Sequence, residues 1–226
     1  MKHVLTFPGF AESSHARGLY TDIQNAFSTD YQFHILPFYE EKPNGDRVVH
    51  SIQHHAETIQ EYMDSLDGEI TMLAKCAGSR AVISMDDDHI GRLAKLCLFN
   101  PPWRTSNRFL EYQLANWNGT KHEDGSWTVP REGQGAYVVT AGYIHSKQYE
   151  VDSVNTFSVM DRLRAIATMP SPDLYIVRGL EDEMFSPIRT DTITGARTID
   201  IEGGTHHLTG ESRKKVIGAL ALNNVL

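Results

Sequence analysis

The sequence predicts an α/β chain built on a doubly wound, mostly parallel sheet of about six strands with helices on both faces. Three observations predict it. Short apolar runs alternate with amphipathic stripes of helical period along the chain. The breaks between them fall at glycine, proline and Asp/Asn clusters. The 226 residues are 40% hydrophobic and 22% charged, with nine Phe and nine Tyr, which suits one globular domain, 1–226, able to bury a sizeable core.

Val4 to Phe7 is the first strand, stopped by Pro8-Gly9. Ala16, Leu19, Tyr20, Ile23 and Phe27 then recur at helical intervals. A second run, Tyr31 to Phe38, is followed by the turn cluster Pro43-Asn44-Gly45-Asp46. Ile52, Ala56, Ile59, Tyr62, Met63 and Leu66 make the next helical stripe, closed by Asp67-Gly68. Ile70 to Ala74 is the third strand, Ala77 to Met85 a helix, and Leu96 to Phe99 the fourth strand, stopped by Pro101-Pro102. Strands separated by helices imply right-handed crossovers and parallel pairing. The rhythm resumes with a helix from Ser158 to Thr168, strands Leu174 to Val177 and Arg197 to Ile201, and a helix from Glu211 to Leu222.

Residues 104–156 break that rhythm. They hold Trp117 and Trp127, with Trp103 at their edge, and the turn signals Asn118-Gly119, Asp124-Gly125 and Gly133-Gln134-Gly135. A long segment so rich in aromatics is poorly described as a linker, and it reads as a cap or lid over one edge of the sheet.

Charge and cysteine content exclude several classes. With 21 Lys+Arg against 29 Asp+Glu the formal net charge is −8, and the basic residues are scattered, which argues against nucleic-acid binding. Two cysteines, Cys76 and Cys97, do not make a disulfide scaffold. The apolar start is too short for a signal peptide, and no run approaches the length of a membrane span. A reducing, cytoplasmic setting is expected.

The segment richest in chemistry is Ile70-Thr71-Met72-Leu73-Ala74-Lys75-Cys76-Ala77-Gly78-Ser79-Arg80. An apolar strand runs into a tight turn with Cys76 at its apex, small residues two before and two after, and then a helix. That is the arrangement of a nucleophile elbow, where small flanking residues let strand and helix approach closely around a strained, exposed nucleophile. The usual Gly-x-Ser-x-Gly reads Ala-x-Cys-x-Gly here. At a helix N-terminus and beside Lys75, the Cys76 thiol is expected to ionise more readily than an ordinary one.

With these residues the whole chain, from Val4 to the last helix, resembles the α/β-hydrolase superfamily, and at the elbow dienelactone hydrolases and polyhydroxyalkanoate synthases. Phe7-Pro8-Gly9-Phe10 is similar to the family's first strand and its His-Gly-x turn. Strand 173–177 continues into Arg178-Gly179-Leu180-Glu181-Asp182-Glu183, similar to strand-Gly-x-x-Asp. Glu202-Gly203-Gly204-Thr205-His206-His207 is similar to strand-Gly-x-x-His. Tyr137 to Ile144 is similar to a segment of small acyl-thioesterases and carboxylesterases.

The resemblance implies a triad of Cys76, His206 and Asp182, with an oxyanion hole from the N–H groups of Phe10 and Ala77. Trp103, Trp117 and Trp127 are candidates for lining the acyl pocket. No metal or organic cofactor is required. The partner is a small-molecule acyl substrate: an ester, thioester, lactone or amide. The rivals are Ser79 for the nucleophile, Glu181 and Glu183 for the acid, and His207 for the base. Cys97 reads as core filling, His54-His55 as unable to share a helix face, and Asp86-Asp87-Asp88-His89 as a solvated charge run. Besides hydrolysis, transfer of the acyl group to an amine or alcohol, or a silent hydrolase-fold interaction module, fits the same residues.

Overall fold

A computed structural model of the chain describes residues 1–10, 18–102, 107–131, 135–152, 159–184 and 193–226. The central sheet has six strands: β1 (Lys2–Phe7), β2 (Gln32–Ile35), β5 (Glu69–Lys75), β6 (Leu93–Phe99), β10 (Asp173–Gly179) and β11 (Arg197–Ile201). Their order is β11-β10-β6-β5-β1-β2, and every pairing is parallel. The doubly wound, mostly parallel sheet expected from the sequence is therefore present, with β5 and β6 at its centre.

Side chains alternate between the two faces, as the period of a strand requires. Met72 and Ala74 of β5, Leu96 and Leu98 of β6, and Leu174 and Ile176 of β10 pack on one face with α2 (Ile52–Asp64), α3 (Ala77–Ile83) and α7 (Val159–Thr168). Leu73, Cys97, Phe99, Tyr175 and Val177 pack on the other with α1 (Leu19–Phe27) and α8 (Glu211–Leu222). Both faces are buried, so the strands read as nearly continuous apolar runs. Local chemistry sets the helix starts: Ser51 caps α2 by accepting the His54 N–H at 3.1 Å.

Two features go beyond the sequence reading, although the aspartates at 86–88 are exposed, as a solvated charge run requires. The run 86–89 is a helix start: Asp86 caps the short helix α4 (Asp87–Gly91), its carboxylate accepting the His89 N–H at 2.8 Å. The chain also forms a second, five-stranded sheet ordered β3-β4-β9-β8-β7. In it β3 (Glu40–Glu41) and β4 (Arg47–Val49) form a hairpin around Gly45, and β4 pairs in parallel with β9 (Ala136–Val139). Strands β7 (Thr120–Lys121) and β8 (Trp127–Pro130) complete it. Residues 40–49 thus share a sheet with part of the 104–156 segment, whose described part also holds α5 (Asn107–Asn116) and α6 (Ala141–Asp152). Buried residues of this sheet, Val49, Trp127, Val129 and Val139, join the core on the α2–α3 face. Among the described residues no helix is long and apolar enough to cross a membrane.

One close approach holds the centre of the molecule. A Cβ on Gly78, in the first turn of α3, would lie 2.3 Å from the carbonyl oxygen of Pro8 and 2.5 Å from that of Phe7. Both are backbone atoms, so any side chain at 78 must push α3 away from the end of β1. Gly218, exposed in α8, has nothing within 4 Å of such a Cβ. Gly78→Ala should lower the melting temperature and Gly218→Ala should raise stability, by up to about 1 kcal/mol, through helix propensity alone. Thermal unfolding of the two variants checks this, and an unchanged Gly78→Ala would remove the constraint.

Candidate active site

Cys76 stands between β5 and α3 with φ 48° and ψ −125°, a left-handed conformation that a β-carbon disfavours. Three hydrogen bonds brace it: the Cys76 N–H donates to Phe99 O at 3.0 Å, the Ser79 N–H to Cys76 O at 3.0 Å, and the Ser79 hydroxyl to Ala74 O at 3.1 Å. Cys76 is partly exposed. Ser79, the rival nucleophile, is fully buried and has its hydroxyl bound to the turn it supports.

His206 and Asp182 lie on the loops after β11 and β10. His206 Nδ1 and Asp182 Oδ2 are 2.9 Å apart, and both side chains are almost wholly buried. Asp182 Oδ1 accepts the Met184 N–H at 2.9 Å, which fixes the carboxylate. Cys76 also acts on the imidazole, helping to hold its pKa up. With Nδ1 committed to Asp182, Nε2 is the ring nitrogen left for the thiol. The rivals go elsewhere: His207 and Glu181 are exposed, and Glu183 Oε2 accepts the His206 backbone N–H at 2.9 Å. That hydrogen bond holds the Glu183 carboxyl below its usual range. The loops meet closely, since a Cβ on Gly179 would lie 2.4 Å from Gly204 O.

Burial works against a charge on His206, but hydrogen bonds to Asp182 and Cys76 and the charges of both outweigh it and raise its pKa to about 9. Cys97 is the opposite case: burial alone pushes its thiol far up, as befits core filling. His55 is buried against Phe38, ring centroids 4.5 Å apart, and burial lowers its pKa to about 3. It is neutral. Among the described residues no group of three His, Cys, Asp or Glu could hold a metal ion.

The close contact of Gly78 with Phe7 and Pro8 brings the turn carrying Phe10 beside the first N–H groups of α3, which include that of Ala77. The Phe10 ring stacks on Trp117 at 5.7 Å and 10°, and on Tyr143 of α6 at 5.7 Å and 22°. Trp117 is 41% exposed, whereas Tyr143 is fully buried. Trp127 lies buried in β8 against Gly119, and Trp103 lies outside the described residues. Two residues to which the sequence reading gives no role, Asn100 and Arg80, also converge here, and Lys75 departs from its expected one. Asn100 ends β6 and bonds to the loops that carry Asp182 and His206. Arg80, one helical turn after Cys76, is buried in electrostatic reach of Cys76 and Tyr143. Lys75, expected to act on the thiol, is buried and its ammonium donates to His207 O at 3.4 Å. Asparagine before Pro101-Pro102 signals a turn, but nothing in the sequence links it to position 206.

Comparison with known proteins agrees with the fold. No family model matches the chain, and no curated protein matches its sequence. Solved structures do. An esterase (EaEST) from Exiguobacterium antarcticum is 13% identical with a TM-score of 0.67, covering 100% of this chain and 92% of its own. Est1E from Butyrivibrio proteoclasticus, solved with ferulic acid bound, is 14% identical with a TM-score of 0.66, over 100% and 88%. A thioesterase domain from the curacin biosynthetic pathway is 11% identical with a TM-score of 0.62, over 98% and 91%. The chain has the α/β-hydrolase fold.

The His206 environment predicts a pH dependence. Its folded pKa of about 9 stands above the ordinary 6.5, so the stability it contributes is complete below about pH 6.5 and is lost as pH rises through 9. The difference in unfolding free energy between wild type and His206→Gln should shrink across that window by on the order of 3 kcal/mol. Denaturant titrations at pH 6 and pH 9.5 measure it; a difference that stays constant contradicts the assignment.

Proposed function

We propose that the protein is an acyl-transfer hydrolase acting on an ester, thioester, lactone or amide through a covalent thioester on Cys76. The observation that carries this is a left-handed cysteine at a strand-to-helix turn, in electrostatic reach of a buried histidine that is itself bound to a buried aspartate. The proton of the Cys76 thiol is held on His206 Nε2, in keeping with the raised pKa of that imidazole, and Sγ attacks the substrate carbonyl carbon while the carbonyl π electrons move to oxygen. The N–H groups of Phe10 and Ala77 receive that oxyanion. As the tetrahedral intermediate collapses, the leaving group departs with the proton from His206, and the acyl group remains on Sγ. Water then attacks the thioester, His206 takes its proton and returns it to the sulfur, and the acid is released. Asp182 holds Nδ1, which turns Nε2 toward the sulfur, and stabilises the imidazolium.

Residues 104–156 act as a cap in this reading. The stack of Trp117, Phe10 and Tyr143 supports it, because the residue that lends the oxyanion hole its N–H also carries the ring on which the cap rests. Trp117 offers an apolar wall for the acyl group, with Phe10 and the buried Tyr143 stacked behind it.

Intact-mass spectrometry after brief exposure to p-nitrophenyl acetate tests the mechanism. One acetyl adduct should form on the wild type and none on Cys76→Ala, and His206→Ala should slow its formation by roughly 100-fold or more. An adduct that persists unchanged in Cys76→Ala overturns the proposal.

A further inference from the structure

Asn100 closes β6 in a left-handed conformation, φ 43°, and is 5% exposed. Its side chain spends both ends of the amide on the two loops that carry Asp182 and His206. Oδ1 accepts the Gly179 N–H at 2.7 Å, at the end of β10 and three residues before Asp182. Nδ2 donates to Thr205 O at 3.1 Å and to His206 O at 3.0 Å. The Asn100 N–H donates to Val177 O at 2.9 Å, which ties the residue to β10 through its main chain as well.

The loop that holds His206 needs such a brace. It enters through Gly203, φ 71°, and Gly204, and turns again at Leu208, φ 49°. Its geometry is therefore set by side chains that reach it. Glu183 fixes the N–H of His206, Asn100 fixes its carbonyl, and the Lys75 ammonium lies at the carbonyl of His207. The peptide groups on both sides of the His206 Cα are thereby pinned from neighbouring elements. An amide suits the position because it offers an acceptor on one side and two N–H donors on the other without net charge. A carboxylate would lose both donors, and an apolar isostere would strip the Gly179 N–H and the His206 carbonyl of the amide that meets them and leave Thr205 O to the Leu208 N–H alone.

We infer that Asn100 is a positioning residue that sets the imidazole of His206 between Cys76 and Asp182. The inference rests on the Cys76–His206–Asp182 reading above and adds to it the residue that fixes its geometry. A small displacement of a catalytic group costs far more in rate than in binding. Asn100→Gly is the informative variant, because glycine takes the left-handed backbone without strain and removes only the side chain. Its counterpart is Asn224→Gly, at another left-handed asparagine, φ 52°, whose carbonyl meets Lys95 at the start of β6, the far end of the sheet.

Hydrolysis of p-nitrophenyl acetate and the rate of Cys76 alkylation by iodoacetamide at pH 7, each per folded molecule, are the two readouts. Asn100→Gly should lower kcat roughly 10- to 100-fold with KM within about twofold, and slow alkylation in parallel. Asn224→Gly should change neither. If Asn100→Gly does not fold, Asn100→Asp, which keeps the acceptor for Gly179 and loses both donors, should show the same loss. Retention of kcat and alkylation rate within twofold overturns the inference while leaving the triad intact, provided Cys76→Ala is inactive. If Cys76→Ala keeps full turnover, the triad reading fails first and the inference falls with it.

Discussion

The turn at Cys76 is the constraint on which the rest of the structure depends. A cysteine at φ 48° carries strain on the order of 1–3 kcal/mol, and it persists only because its surroundings leave no alternative. The glycine two residues on lets α3 press against the carbonyls that end β1. Ser79 ties the first turn of that helix back to Ala74, and the backbone of Cys76 is bound to the end of β6. Those contacts aim the thiol out of the sheet, place an open helix N-terminus beside it, and bring the Phe10 turn alongside.

Parallel strands make this economical. All six central strands end at the same edge, so the loops after β1, β5, β6, β10 and β11 converge there without long excursions. Cys76, Phe10, Asn100, Asp182 and His206 each come from a different one of these loops. The second sheet adds a distinct link. Phe10 belongs to the first of the loops, and its ring is stacked between Trp117 and Tyr143. Movement of α5 or α6 would therefore be felt at the turn that carries Phe10.

Much of the fold is legible in the sequence, for reasons visible in particular elements. β5 and α2 are apolar runs of clear period, and both faces of the sheet are buried, so pattern follows structure closely. The second sheet is not legible. β3 and β4 span two and three residues, and the partner of β4 lies about ninety residues away at β9. No local pattern announces such a pairing. In the site, Cys76, Asp182 and His206 stand at the ends of readable strands, with turn residues that mark them. The choice of His206 over His207 needs the loop conformation, which buries one ring against Asp182 and exposes the other. Asn100, Arg80 and Tyr143 matter through contacts that only tertiary structure creates, and the destination of Lys75 follows from strand alternation carried past the end of the core.

The most direct test of the account is a structure of the chain after reaction with an activated ester, before the acyl group is released. The account predicts the acyl carbon bonded to Cys76 Sγ and its carbonyl oxygen within hydrogen-bond distance of the N–H groups of both Phe10 and Ala77, with His206 still bound to Asp182. An acyl group on another residue, or a carbonyl oxygen turned away from both N–H groups, would contradict it.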